Sequence, residues 1–236
     1  MMLTSDLQRP PLSRAVAWRE VGLAVVVLWS VLGGACFFLG AQSIYDRWGT
    51  SLNATLVLDV VFLIGCLAVI GFVFWRQRRQ GEGIVELGWG RPVRMPVIVI
   101  AVVYGLAWTA MSYMRGGDPL AFPWQRPIMM AIGLVLAFAE EISVRGLILD
   151  RLARCGTSRI IQIVVTAGIM AVYHGVVGHS VWPSYMVSSF VLFGVLSVIY
   201  VYGGRSLTPV YIAHAMAHFL GDPALMQGVL YGVGAG

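Results

Sequence analysis

Ionisable side chains interrupt the apolar stretches in the second half of the chain. They are Glu140, Glu141, Arg145, His174, His214 and His218. A charged group in a bilayer is costly unless it is paired or hydrated, so each is a functional hypothesis. Carboxylates and imidazoles exchange protons, bind metals and donate or accept hydrogen bonds. Together they indicate water activation, metal binding or proton relay as the chemistry to consider.

The two glutamates have different predicted roles. On a helix, Glu141 lies four residues before Arg145, which is the favourable order for an ion pair. Glu140 projects about 100° away from Glu141 on a helix of 3.6 residues per turn. We therefore predict that Glu141 neutralises Arg145 as a structural pair, while Glu140 faces the interior and different neighbours. The alternative is one structural charge network that contains all three side chains.

The histidines fall late in the chain. His214 and His218 are four residues apart, so both project from one helix face. Such a pair can chelate zinc or present two hydrogen-bond donors to one ligand. A lone His174 would be interpreted as a hydrogen-bonded core residue, but three histidines and a spare carboxylate in one bundle favour a site. We interpret His179, beside Trp182, as an interfacial anchor.

The composition indicates which kind of secondary structure carries these residues. The chain has 236 residues, of which 58% are hydrophobic and 11% are charged, and its mean hydropathy is +0.81. Soluble domains have about a quarter charged residues, and disordered chains have low hydrophobicity, so both classes are excluded. A spanning helix needs roughly 20 apolar residues, which predicts an all-α, polytopic transmembrane bundle of about seven or eight helices.

Apolar runs predict the individual helices within a single integral membrane domain, residues 1–236. A cytoplasmic segment covers residues 1–20. The predicted spans cover 21–42, 52–75, 96–114, 127–149, 160–178, 184–202 and 208–220. Residues 224–236 are apolar but few, so they form either a short eighth helix or an interfacial tail.

The arginines predict the orientation of the chain in the membrane. Twelve of the 16 basic residues fall on one side of the predicted spans and three on the other, and Arg145 lies inside a span. Because basic residues concentrate in cytoplasmic loops, the N-terminus is predicted to be cytoplasmic. We interpret the arginines as topology signals and expect no nucleic-acid partner. The predicted location is the cell inner membrane, crossed several times.

Three short motifs resemble those of a known family. They read EEISVR at 140–145, MAVYH at 170–174 and HAMAH at 214–218. In order and spacing they are similar to the EExxxR, FxxxH and HxxxN or HxxxD motifs of the CPBP family of intramembrane proteases. This family, also called Abi, includes CAAX proteases and bacteriocin-processing proteins. Met170 replaces an aromatic residue, which affects packing, and His218 replaces asparagine or aspartate, which affects the proposed chemistry.

The resemblance implies a glutamate-type protease with its catalytic core helices at 127–220. Glu140 and His174 would polarise a water, His214 with His218 would stabilise the oxyanion, and no cofactor is implied. The expected substrate is a membrane-associated peptide or protein, with the lipid bilayer as surroundings. Because His218 is also a metal ligand, the alternative is zinc on His174, His214 and His218. Two other classes stay open: a non-catalytic scaffold or immunity protein, and a proton-coupled transporter in which Glu140, Asp59 and the histidines relay protons.

Overall fold

The computed structural model describes residues 9–34, 51–114, 122–177 and 182–221, with positions 44, 47 and 120. This part of the chain forms seven helices and no strands, which confirms the predicted all-α bundle. The helices are α1 (Arg14–Leu28), α2 (Leu52–Arg79), α3 (Met95–Met114), α4 (Gln125–Arg154), α5 (Arg159–Val177), α6 (Trp182–Tyr202) and α7 (Leu207–Phe219). His179 and the segment 224–236 lie outside the described residues.

Five of these helices are long and apolar enough to cross a membrane, so the protein is a multi-pass membrane protein. They are α1 as far as Gly34, α2, α3, α4 and the part of α6 from Pro183 to Tyr202. The apolar part of α5, Arg159–Gly175, is shorter. Helix α7 has 13 residues. It is therefore about 20 Å long, less than the roughly 30 Å of a hydrocarbon core.

Serine caps set where the first two helices begin. The Ser13 hydroxyl accepts a hydrogen bond from the backbone N–H of Val16, so α1 begins at Arg14, earlier than the apolar run predicts. Ser51 caps α2 in the same way. Helix α2 continues through Arg79, because basic residues in its last turn complement the negative end of the helix dipole.

Helix α4 changes its hydrogen-bonding pattern in the middle. Residues Gln125–Glu141 are α-helical, Ile142–Leu149 form a π-helix, and Asp150–Arg154 return to α-helix. Every residue of the π-helical part is buried. The sequence predicts one regular helix here. The π-helical segment begins directly after the two glutamates, where such segments frequently mark functional sites.

Residues 9–12 form an N-terminal strap across the end of α4. The backbone N–H of Leu12 donates to the carbonyl of Arg154 at 3.1 Å, and Arg9 pairs with Asp150. Glu82, in the connection between α2 and α3, accepts from Arg154 at 2.6 Å and from Arg9 at 3.4 Å. Arg9 and Arg154 therefore belong to one network of ion pairs that includes Asp150 and Glu82.

The connection between α2 and α3 also packs against the helices that carry the glutamates and the histidine pair. The carbonyl of Gly88 accepts a hydrogen bond from the backbone N–H of Leu207, the first residue of α7. The ring of Trp89 contacts Phe138 of α4 and Tyr211 of α7, with centroids 5.3 and 5.5 Å away. This connection holds α4 and α7 together on the side that the arginines predict to be cytoplasmic.

Replacing Gly88 should loosen this contact. Gly88 has φ +102°, and a Cβ there would lie 2.7 Å from the Arg205 carbonyl oxygen. We expect Gly88→Ala to lower the thermal unfolding temperature in detergent more than Gly81→Ala does. Gly81 also has a positive φ, +70°, but open space around it. Gly81→Ala should therefore cost only the backbone strain of about 1–2 kcal/mol. Equal melting temperatures for the two variants would contradict this account.

Candidate functional site

Three helices bring the predicted site residues together. Glu140 and Glu141 end the α-helical part of α4, His174 lies near the end of α5, and His214 and His218 lie on α7. Glu140 is 1% exposed, His174 is 8% exposed and His214 is 1% exposed. These three side chains are therefore buried among the helices and His218 is half-buried, although the residues lie up to 78 positions apart in the chain.

The Glu140 carboxylate lies between two imidazoles. Its Oε2 atom is 4.0 Å from His174 Nε2 and 3.7 Å from His214 Nε2. Within the described residues no group donates a hydrogen bond to this buried oxygen. Both gaps exceed a direct hydrogen bond, but one water molecule can bridge atoms at such separations. The geometry therefore leaves Glu140 with an unused acceptor beside both rings.

A backbone contact sets the orientation of the His174 ring. Its Nδ1 donates to the Met170 carbonyl at 2.9 Å, which leaves Nε2 as an acceptor on the side of Glu140. Every residue has this carbonyl, so the departure from the aromatic motif position at Met170 preserves the hydrogen bond. This hydrogen bond depends on the four-residue spacing of the motif, and not on which side chain occupies its first position.

The His214 ring contacts both glutamates. Its Nδ1 donates to Glu141 Oε1 at 2.9 Å, because an ionised carboxylate can only accept, and its Nε2 faces Glu140. The sequence predicts different neighbours for the two acids. Instead they share this imidazole, because its two nitrogens lie on different edges of one ring. The acid that pairs with Arg145 therefore also fixes the tautomer of His214.

The His218 ring contacts the His214 ring directly. Their Nε2 atoms are 3.1 Å apart, so one hydrogen bond joins the two rings. A glycine on α4 allows this placement: a Cβ at Gly133 would lie 2.9 Å from the Cβ of His218. A Cβ at Gly133 would therefore push α7 and its second histidine away from α4.

Glu141 and Arg145 are paired inside the bundle. The Nη1 atom of Arg145 lies 3.0 Å from Glu141 Oε1, and both side chains are fully buried. The Nη2 atom of Arg145 donates to the carbonyl of Phe193, on α6, at 2.8 Å. The pair therefore has partners on α6 and α7 as well as on its own helix.

The zinc alternative stays a prediction. Among the described His, Cys, Asp and Glu side chains, no three gather as ligands for one ion. The Nε2 atoms of His214 and His218 are 3.1 Å apart. Two nitrogen ligands of a tetrahedral zinc ion, with bonds of about 2.0–2.1 Å, lie about 3.3 Å apart, so this spacing fits a shared ion as well as a hydrogen bond.

Phe193 is a residue of this cluster that the sequence did not indicate. It is fully buried on α6, and its ring contacts His174 and His214. Phe190, three residues earlier on the same apolar helix, is 42% exposed. Because α6 is apolar on all sides, its composition does not distinguish a ring that faces the site from one that faces lipid.

Comparison with known proteins agrees with the motifs. Residues 122–220 match the family model described as type II CAAX prenyl endopeptidase Rce1-like. Searches of curated proteins and of solved structures gave no match. The matched segment contains all of α4 to α7, and with them every predicted site residue. The match confirms the predicted resemblance, and residues 122–220 are similar to the Rce1-like group of the CPBP family.

Proposed function

We propose that this protein is an intramembrane endopeptidase that hydrolyses a membrane-associated peptide or protein with a glutamate- and histidine-activated water. The family match supports protease activity. The observation that carries the chemical assignment is the buried Glu140 oxygen, free of hydrogen-bond donors and flanked by His174 and His214. A buried carboxylate oxygen without a hydrogen-bond donor is costly to maintain, which favours a role in chemistry.

In this proposal a water is activated by two hydrogen-bond acceptors, the Glu140 carboxylate and His174 Nε2. A water between Glu140 and His174 would donate one hydrogen to the carboxylate and one to His174 Nε2. Its lone pair would then be free to attack the scissile carbonyl carbon. Glu140 takes the water proton as the new C–O bond forms, and the carbonyl oxygen becomes an oxyanion. The same proton then passes to the leaving nitrogen as the C–N bond breaks.

The histidine pair supplies the donor for the oxyanion in this proposal. His214 Nδ1–H is held by Glu141, so its Nε2 shares a single proton with His218 Nε2 when both rings are neutral. An oxyanion beside His218 would compete for that proton as a hydrogen-bond acceptor. Donors held in place before charge develops stabilise the transition state without reorganising.

The proposed orientation places the site towards the cytoplasm of a bacterial inner membrane. Of the twelve arginines that predict the cytoplasmic side, the connection between α2 and α3 carries Arg91 and Arg94, and the strap carries Arg9. Both lie against the helices of the site, at Leu207 and Arg154. A substrate segment would therefore enter from the cytoplasmic half of the bundle.

Removing the charge of Glu140 tests the proposed chemistry directly. We expect Glu140→Gln to lower the kcat for a lipid-anchored model peptide in proteoliposomes by about 10²–10⁴-fold, because the amide cannot take the water proton. The control is Asp59→Asn, which changes another buried acid on α2 and should keep cleavage. Full activity in Glu140→Gln would refute the proposal.

The same pair of variants separates the competing classes. A proton-coupled transporter would show pH-dependent flux in the same vesicles, and that flux would fall in both variants. A scaffold or immunity protein would cleave nothing and would keep its cellular phenotype in Glu140→Gln. Either result would replace the protease assignment.

His218 offers a test of the oxyanion donor. We expect His218→Asn to retain kcat within about tenfold, because the amide can still donate a hydrogen bond. His218→Ala should lower kcat by about 10²–10³-fold, the typical cost of losing one oxyanion donor. Initial rates at saturating peptide measure both effects. Equal rates for the alanine variant and the unaltered protein would remove His218 from the mechanism.

Metal analysis decides between the two forms of the hydrolase. We expect purified, active protein to contain much less than one zinc per chain, and cleavage to survive prolonged treatment with a chelator. Elemental analysis and the peptide assay on the same sample measure this. Stoichiometric zinc, together with loss of cleavage on chelation and its return on adding zinc, would establish the alternative with His174, His214 and His218 as ligands.

A further inference from the structure

We infer that Phe193 is a positioning residue that sets the placement of the two imidazoles flanking Glu140. The inference deepens the proposed function and rests on it. Phe193 lies on α6, which supplies none of the predicted site residues, and its side chain is fully buried. It contacts three side chains of the site, each of which comes from a different helix.

The ring of Phe193 lies against both imidazoles. Its centroid is 4.9 Å from that of His174, with the planes tilted by 40°. Its centroid is 5.2 Å from that of His214, and those two planes are nearly perpendicular at 88°. The edge-to-face contact with His214 is a favourable geometry for aromatic rings at this distance. One rigid ring therefore limits how far either imidazole can move relative to Glu140.

Arg145 fixes Phe193 from the other direction. Its guanidinium lies over the phenyl ring, 5.0 Å from the centroid, and its Nη2 donates to the Phe193 carbonyl. The same guanidinium pairs with Glu141, which holds His214. His214 is therefore held by the hydrogen bond from its Nδ1 to Glu141 and by contact with the Phe193 ring.

A second donor anchors the Phe193 backbone. The Ser197 hydroxyl donates to the Phe193 carbonyl at 2.7 Å. It also lies 3.0 Å from the hydroxyl of Thr166 on α5, the helix that carries His174. Ser197 and Thr166 are both fully buried. The bond between the two hydroxyls therefore ties the Phe193 turn of α6 to α5.

These contacts predict a specific kinetic defect. Leucine at position 193 keeps an apolar side chain but has no flat face for either imidazole, so both rings can turn or shift. The proposed chemistry requires both rings to stay at their present distances from Glu140 Oε2, 3.7 and 4.0 Å. A misplacement of about 1 Å in an active site can lower the rate by about 10²-fold.

The experiment compares Phe193→Leu with Phe62→Leu, a buried phenylalanine of α2 outside the cluster. Cleavage of the lipid-anchored model peptide is measured below both unfolding transitions and normalised to folded protein. We expect Phe193→Leu to lower kcat about 10- to 100-fold with KM within about twofold, while Phe62→Leu leaves both constants near their original values. Equal kcat values in the two variants would overturn the inference.

A milder pair of variants covers the case in which Phe193→Leu does not fold. Ser197→Ala removes one donor to the Phe193 carbonyl and should lower kcat severalfold. The control is Thr55→Ala on α2, because the Thr55 hydroxyl likewise donates to the carbonyl four residues earlier, that of Ser51, outside the cluster. If Ser197→Ala matches Thr55→Ala, the inference is wrong. Cleavage lost in Glu140→Gln but unchanged in these Phe193 and Ser197 variants would overturn the inference alone and leave the proposed function intact.

Discussion

The buried ion pair between Glu141 and Arg145 is the interaction on which the cluster depends. Both side chains are fully buried, and further hydrogen bonds reduce the cost of removing two charges from water. Glu141 Oε1 also accepts from His214 on α7, and Arg145 Nη2 donates to the Phe193 carbonyl on α6. Among the described residues, Glu141 Oε2 and Arg145 Nε have no hydrogen-bond partner. The pair thus determines how three helices meet, and the tautomer of His214 follows from it.

Much of this arrangement could be predicted from the sequence because it depends on local patterns. Apolar runs of the right length predicted the helices, and the spacing of Glu141 and Arg145 predicted their pairing on one helix face. The order of the motifs predicted the family resemblance, which the match over residues 122–220 confirms. Each of these inferences uses only the spacing of residues that are close in the sequence, the length of an apolar run or the order of motifs along the chain.

The remaining features depend on contacts between distant segments. The shared contact of His214 with both glutamates requires the position of α7 relative to α4, which no spacing within one helix specifies. The role inferred for Phe193 depends on which face of an all-apolar helix turns inward. The π-helical segment after Glu141 lies where every residue is buried, so packing against neighbours can override the regular hydrogen-bonding pattern.

The N-terminal strap has a consequence for how the chain is made. Arg9 and its partner Asp150 are 141 residues apart in the sequence. Synthesis proceeds from the N-terminus at about 5–20 residues per second, so Arg9 leaves the ribosome many seconds before its partner exists. During that interval the segment that later covers the end of α4 lacks its main ionic contact. The closure of the strap is therefore a late step of biogenesis, completed only after the acidic end of α4 has been translated.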